Sequence, residues 1–388
     1  MTGGAHRSGD KLRLLHVIHM LDPAAGGAAS AARSMCAALA ERGHEVRLYA
    51  TGPNHLEQSS SFQTRIFPME FPPMALSVGF FRALRQVRDV DLVHIHMLYR
   101  FPQAAAAFLC RRNGIPYCIQ PHGALEPMLY HKAERRTAKR LYEILIENRN
   151  LRHAAGLIYT AQGEKQAVDF LHLTPPAFVV PLGLQLAEFD RTVGDFRNRH
   201  GLADRELIVW MGRLVPVKGL DLLIRAFAAL AQERPRAVLV LVGPDTEGYA
   251  DSLHRLRAEL GLAPNRVVFT GLLQGREKLA VLQDADLFVL PSYTENFALA
   301  AVEAMAMGCP VIVSSGVKIA PDIVHAGAGR MVAPQAGELQ TAIRDLLNDQ
   351  EALRRMGAAA RTFARCYDWP QVVGTLEDAY AAMIAGRA

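Results

Sequence analysis

Residues 291–313 read PSYTENFALAAVEAMAMGCPVIV. The apolar run LFVL (287–290) precedes this stretch, a helical pattern fills 296–307, and PVIV (310–313) closes it. Strand, helix, strand in that order is the building unit of a parallel α/β sheet. Glu295 and Glu303 stand eight positions apart at the start of the expected helix. Eight residues of helix rise about 12 Å. The paired carboxyl groups of a glycosidase lie about 5–5.5 Å apart when retaining and about 6.5–9.5 Å apart when inverting. The spacing therefore excludes a pair flanking one glycosidic bond and suits the two ends of one long ligand. Asn296, Phe297 and Ala298 fall between them, where free amides and the helix dipole favour an anion. Carboxylate, anion site, carboxylate is an order that fits a sugar, a diphosphate and a ribose.

The same alternation extends along most of the chain. Strands are expected at 12–19, 45–49, 91–96, 115–120, 156–160 and 177–180, separated by helical patterns at 28–42, 103–112, 132–153 and 162–171. From 181 to 204 the chain turns Pro-, Gly- and charge-rich without strand alternation, which marks a joint. A second set of strands follows at 206–211, 237–242, 266–270, 287–290, 310–313 and 330–332, with helices at 219–233, 251–260, 274–284, 296–307 and 337–347. The expected organisation is two doubly wound domains, 1–185 and 186–369, and a terminal helical segment, 370–388.

At 388 residues there is chain enough for two cores. Half the residues are apolar, and the net charge of +5 with a pI near 9.0 suits an anionic ligand or a membrane surface without selecting either. The five cysteines, Cys36, Cys110, Cys118, Cys309 and Cys366, are odd in number and never form a C-x-x-C pair, so they read as buried thiols of a reducing compartment. Residues 1–10 lack a signal-peptide core, and no apolar run approaches the ~18 residues of a span. The expected location is cytoplasmic, at or near the inner face of the cell membrane, and nucleic acid is not an expected partner.

Several constellations suit chemistry on a diphosphate. GRLVPVKG places Arg213 and Lys218 just past a strand, at the edge where open α/β sheets bind ligands. A guanidinium fork and a mobile ammonium together match two phosphates. Gly26 and Gly27 open the first helix, where backbone can approach a phosphate or simply turn. His122, in QPHGAL, follows another strand between Pro121 and Gly123 and reads equally as a cleft residue or a packed one. His94 and His96 share one side of their strand, with no further metal ligand indicated and His96 placed to line a cleft. The D-x-D pairs Asp89/Asp91 and Asp284/Asp286 precede strands, opposite the ligand edge, so they read as structural and no metal is required. His131, Lys132, Arg135, Arg136, Lys139 and Arg140 lie beside Leu141, Ile144 and Leu145; this is a solvated face or a contact for anionic headgroups.

Taken together, GG after the first strand, PHG, GRLVPVKG, LVGPD, VVFTG and the E-x7-E block with EAMAMGCPVI come in the order of retaining nucleotide-sugar glycosyltransferases of the GT-B fold. The chain most resembles glycosyltransferase family 4 over nearly its whole length. The resemblance implies two Rossmann-like domains facing a cleft, with the terminal helix crossing back to the first. It implies that Glu303 holds the ribose hydroxyls, Arg213 and Lys218 the diphosphate, and Glu295 the sugar hydroxyls, assisted by the amides of Asn296, Phe297 and Ala298. Gly27, with Gly26, approaches the phosphate, His122 sits by the reacting centre, and Leu272 lies near the base. A UDP- or GDP-linked hexose, a hydroxyl acceptor on a glycan or lipid-linked glycan in cell-surface polysaccharide synthesis, and no metal or other cofactor complete the expectation. Two positions depart from the family: Asn296 replaces the usual glycine after the first glutamate, and Leu182 replaces the Asn of the P-N-G turn. A nucleotide-sugar 2-epimerase, which needs no acceptor, and a non-catalytic nucleotide-sugar-binding protein are the alternatives.

Overall fold

The computed structural model describes residues 11–21, 27–52, 61–127, 137–190 and 194–386, the side chains of 137–139 excepted. The chain divides into two compact units, Met1–Gly183 with Trp369–Ala388, and Leu184–Asp368.

The first unit is built on a seven-stranded sheet: β1 (Arg13–Ile18), β2 (Glu45–Thr51), β3 (Gln63–Phe67), β4 (Leu92–His96), β5 (Tyr117–Gln120), β6 (Gly156–Tyr159) and β7 (Ala177–Val179). Their spatial order is β3-β2-β1-β4-β5-β6-β7, and every pairing is parallel. Strand β3 is absent from the expected set because QTRIF is an edge segment, mostly polar and half exposed, with little apolar signal. The inner strands are buried on both faces, as parallel strands between helices must be. Leu15, Val17, Val93, Ile95, Tyr117 and Ile119 belong to one core. Leu14, Ile18, Leu92, Cys118 and Ile158 belong to the other, with helix Gly27–Glu41 and the terminal helix Trp369–Ala385.

That terminal helix is integral to the first unit. Trp369, Val372, Val373, Leu376, Tyr380 and Met383 are buried in its second core. Glu377 accepts from Arg42 Nε at 3.1 Å and lies 2.9 Å from His44 Nε2. Gly183 is required where the helix begins: a Cβ there would lie 2.3 Å from Trp369 Cδ2. Truncating the fully buried Tyr380 would remove packing worth about 3–5 kcal/mol at an aromatic core site.

The second unit carries β8 (Glu206–Met211), β9 (Ala237–Val242), β10 (Val267–Gly271), β11 (Leu287–Leu290), β12 (Val311–Ser314) and β13 (Gly329–Val332). They are ordered β10-β9-β8-β11-β12-β13, again all parallel. The order reverses between β8 and β11, so the loops that follow these two strands flank the switch point where such sheets bind ligands.

Three local expectations are corrected. The expected helix 132–153 is, among the described residues, a helix at Thr137–Tyr142, a π-helical segment at Glu143–Glu147 and a helix at Asn148–Arg152. Glu143 and Glu147 are both buried there, against Tyr99, and a widened turn accommodates them. The helix expected at 296–307 spans only Leu299–Ala306. Of the cysteines, Cys36, Cys110, Cys118 and Cys309 are buried but Cys366 is exposed; all five are free thiols.

Candidate functional site

Just past β8, Arg213 is exposed and unpaired among the described residues, and the chain makes a 3-10 turn at Pro216–Lys218. Gly219 closes the turn in the left-handed region, φ 67°, and a Cβ there would lie 2.3 Å from the carbonyl oxygen of Pro291. No other residue lets this loop pack so closely on the loop after β11. Tyr293 N donates to Val217 O at 2.9 Å across the same junction. The result is that Lys218 Nζ donates to Glu295 Oε2, with both side chains about four-fifths buried. Backbone bonds also hold Glu295: its N–H donates to Gly316 O and its carbonyl accepts from Lys318 N, each at 3.0 Å.

Glu295 is therefore a loop residue, and a straight helix cannot be used to measure its distance from Glu303. The segment between them turns sharply at Ala298, φ 62°, which caps the helix in a conformation most residues avoid. Phe297 is buried and packs edge-on against Tyr367, ring centroids 5.3 Å apart, so only its backbone is available to a ligand. Asn296 lies between, partly buried. On the helix proper, Glu303 Oε1 accepts from Lys278 Nζ at 2.9 Å. Leu272, just past β10, is exposed. At this sheet edge two acid–base pairs, Lys218–Glu295 and Lys278–Glu303, thus lie on consecutive loop and helix segments.

In the first unit, Gly27 is the exposed first residue of helix Gly27–Glu41; Gly26 lies outside the described residues. His122 follows β5 in the left-handed region, φ 51°, and is partly buried. Glu164 fixes its turn by accepting from Gly123 N at 2.9 Å while also accepting from Thr160 N at 2.6 Å. The imidazole Nε2 of His122 lies 3.0 Å from His96 Nδ1, and His96 Nε2 lies 3.0 Å from His16 Nδ1. Register explains the meeting: His16 pairs with His94 across β1 and β4, all three histidines on one face of the sheet. His94 turns away, its Nδ1 2.7 Å from the Tyr380 hydroxyl. Burial pushes His16 down to about 3 and His122 to about 4, and holds His94 and His96 well below the usual imidazole range, aided by neighbouring imidazoles.

Two expectations for β4 are thereby corrected. His96 is fully buried and does not line a cleft. A third imidazole, His16, joins His94 and His96, with one nitrogen of each within 4.8 Å of the others. Their geometry is that of a hydrogen-bonded cluster. A metal lies in the plane of each ligating ring, yet the His94 and His96 rings stack 4.2 Å apart at 10°, so their planes run nearly parallel and share no nearby point. The D-x-D aspartates are tied to arginines before their strands: Asp91 to Arg13 at 2.7 Å, Asp89 to Arg47 at 2.8 Å and Asp286 to Arg197 at 2.8 Å.

Lys278, His16 and Glu164 are the residues the sequence reading missed. No spacing connects position 278 to 303, so Lys278 carried no signal. The other two did: His16 is the one polar side chain in the buried part of RLLHVI, and Glu164 stands three residues past Ala161, the cap of helix Gln162–Ala167, where a carboxylate satisfies free amides.

Of the basic cluster at 131–140, residues 131–136 and the Lys139 side chain lie outside the described set; Arg140 is exposed. Leu141, Ile144 and Leu145 are also exposed, at 59%, 57% and 62%. No described helix is long and apolar enough to cross a membrane.

Comparison with known proteins agrees with this architecture. The family model described as "Glycosyl transferases group 1" matches residues 193–363, and that described as "Glycosyl transferase 4-like domain" matches 26–183. The D-inositol 3-phosphate glycosyltransferase of Streptomyces griseus is 31% identical over 324 residues, covering 76% of this chain and 67% of its own. That of Nocardia farcinica is 35% identical over 216 residues, where the match spans 47% of the relative. Sucrose-phosphate synthase from Thermosynechococcus elongatus superposes with a TM-score of 0.78 at 24% identity, covering 97% of this chain and 100% of that one. Anabaena HepE, solved in complex with UDP and glucose, gives 0.76 at 20%, covering 95% and 99%. With two parallel-sheet units, a terminal helix folded into the first, and both halves matched by their family models, the chain belongs to the group 1 glycosyltransferases of the GT-B fold, with a family 4-like first domain.

Proposed function

We propose that the chain is a retaining, metal-independent hexosyltransferase that moves a sugar from a UDP- or GDP-linked donor to a hydroxyl of a glycan or lipid-linked acceptor in cell-surface polysaccharide synthesis. The observation that carries the reading is the pairing of Lys218 with Glu295 and of Lys278 with Glu303 beside an exposed Arg213. In this reading Glu303 takes the ribose hydroxyls and Glu295 the sugar hydroxyls. Lys218 gives one of its three N–H donors to Glu295, which leaves two for phosphate oxygens. Arg213 supplies the second cation. As the bond to the anomeric carbon breaks, negative charge grows on the diphosphate, and fixed cations act where charge develops. The departing phosphate oxygen accepts the proton of the incoming hydroxyl on the same face, so configuration is retained without a protein nucleophile. Gly26 and Gly27 meet the phosphate, the amides of Asn296, Phe297 and Ala298 assist, Leu272 borders the base, and His122 stands by the sugar. With Arg213 and Lys218 supplying positive charge and the D-x-D carboxylates held by arginines, no metal is required.

The exposed Leu141, Ile144 and Leu145, continuing a basic run, favour an acceptor held at an anionic lipid surface. The names of the relatives favour a second acceptor, a small phosphorylated polyol such as D-inositol 3-phosphate. The test incubates the protein with UDP- and GDP-hexoses, alone and with either lipid-linked glycan or D-inositol 3-phosphate, and follows nucleoside diphosphate release and anomeric configuration by NMR. Release that requires an acceptor, with retained configuration, supports the reading. Conversion of donor without acceptor would replace it with an isomerase, and binding without turnover on any acceptor with a binding protein.

A further inference from the structure

Three imidazoles form a line through the first unit: His16, His96 and His122. The ring centroids are 5.2 Å and 5.3 Å apart with interplanar angles of 24° and 28°, and the facing nitrogens are 3.0 Å apart at both junctions. The rings therefore meet end to end. At each junction one nitrogen must carry a proton and the other a lone pair, because neither two N–H groups nor two lone pairs make a hydrogen bond.

This condition counts protons. Three neutral rings hold three protons on six nitrogens. The two junctions take one each, so the third lies at one end of the line, on His16 Nε2 or on His122 Nδ1. Assigning it to either end sets the tautomer of all three rings at once. His16 Nε2 is buried without a hydrogen-bond partner among the described residues. A buried N–H without an acceptor is among the rarest defects in folded proteins and costs about 1–3 kcal/mol. At the other end His122 is only partly buried, and its Nδ1 makes no hydrogen bond among the described residues. The third proton belongs where water or a ligand can accept from it. Burial keeps the rings neutral, pushing His16 to about 3, His122 to about 4 and His96 well below the ordinary range.

We propose that His96 and His16 are positioning residues that lock His122 as its Nδ1–H tautomer, which makes it a hydrogen-bond donor to an oxygen of the bound sugar and removes it as a base. His96 donates Nδ1–H to His122 Nε2, and His16 donates Nδ1–H to His96 Nε2. With its Nε2 lone pair occupied, His122 has no free acceptor for the proton of an incoming hydroxyl. This deepens the proposed function and rests on its placement of His122 beside the sugar; the tautomer itself does not depend on that placement.

The experiment is long-range ¹H–¹⁵N NMR of the full chain with ¹⁵N-labelled histidine, the His122 signals being those lost in His122→Gln. The expected result at neutral pH is a protonated, pyrrole-type Nδ1 and a bare, pyridine-type Nε2. A protonated Nε2 in the wild-type protein, or a charged ring, would overturn the proposal whether or not any variant folds. His96→Asn, too short to span the gap, should release His122 to a mixture of tautomers; an unchanged His122 signal would also overturn it. In transfer assays His96→Asn should lower kcat by about 10- to 100-fold, the scale of losing a group that orients an active one, with donor KM within about twofold. Should His122→Gln retain wild-type kcat while the wild-type spectrum shows Nδ1–H, the placement of His122 at the sugar fails and the tautomer assignment stands.

Discussion

At the edge of the second sheet acids meet bases: Lys218 donates to Glu295 and Lys278 to Glu303, all partly reachable by solvent. In the first unit burial dominates instead, driving His16, His96 and His122 toward the neutral form and raising the Glu147 carboxyl to about 7. Both arrangements remove net charge from a protein interior, but they leave different capacities. A paired lysine keeps its charge and can share it with an incoming phosphate. A buried neutral imidazole has no charge to give, only a fixed N–H direction. In the proposed mechanism the paired lysine of the second unit would stabilise growing negative charge, and the imidazole of the first would orient a neutral hydroxyl.

The sharpest way to break this comparison is Lys218→Ala. If charge at the second edge carries the transition state, kcat should fall by about 10²–10³, the usual loss for one donor at a developing charge. Near-normal turnover in a folded protein would remove Lys218 from the proposed mechanism. The variant also leaves Glu295 without its cation, so sugar contacts should loosen together with the diphosphate contact.

On the other side, Glu147→Gln tests whether the first unit really holds its acids neutral. The folded value of Glu147 is raised, from 4.5 to about 7, mainly by burial. The folded state therefore binds more protons than the unfolded one between these values. Its stabilising contribution is present below about pH 4.5 and is lost as pH rises through about 7. The span corresponds to about 3 kcal/mol at 1.36 kcal/mol per pH unit. Glutamine keeps an oxygen for Tyr99 N, the 3.2 Å donor to this carboxylate, but cannot ionise. Urea unfolding between pH 4.5 and 7.5 should show a smaller loss of stability with rising pH in the variant; parallel curves would mean that folding does not raise the Glu147 pKa.

A third measurement separates the two members of one pair. Glu303→Gln should weaken donor binding by about tenfold, the scale of one hydrogen bond to a charged group. Lys278→Met, which removes only the cation that fixes Glu303 Oε1, should cost about two- to threefold. Calorimetric titration with the donor decides; a larger loss at Lys278 would make it a direct ligand contact.

Much of this architecture was legible in the sequence. Strands β8, β9 and β11 fall where their apolar runs end, because a strand buried on both faces is written in consecutive residues. Arg213, two residues past β8, and Glu295, five past β11, could be placed at the sheet edge for a similar reason. What escaped was whatever depends on two distant segments meeting. Lys278 reaches Glu303 only because two helices are neighbours, and His16 reaches His96 only through the register of β1 and β4. Local spacing also misled where backbone turns sharply: helix periodicity carried through Asn296–Ala298, yet Ala298 adopts φ 62° and starts the helix late.

That residue gives the smallest and most discriminating prediction. Ala298 and Gly219 both occupy the left-handed region at the same sheet edge, at φ 62° and 67°. For an alanine this conformation costs about 1–2 kcal/mol. Glycine relieves the strain but gives back about 0.5–1 kcal/mol through the entropy of the unfolded chain. Ala298→Gly should therefore stabilise by at most about 1.5 kcal/mol, a rise in Tm of at most about 3–6 °C for a unit of this size. Its amide stays in place, so donor affinity should remain within about twofold. Gly219→Ala must go the other way, since its Cβ would lie 2.3 Å from Pro291 O and force apart the two loops that bring Lys218 to Glu295. If Ala298→Gly lowers Tm, the turn at 298 is not the strained one described. If Gly219→Ala is silent in both Tm and turnover, close contact of these loops does not set the Lys218–Glu295 pair, and the charged half of the comparison loses its structural cause.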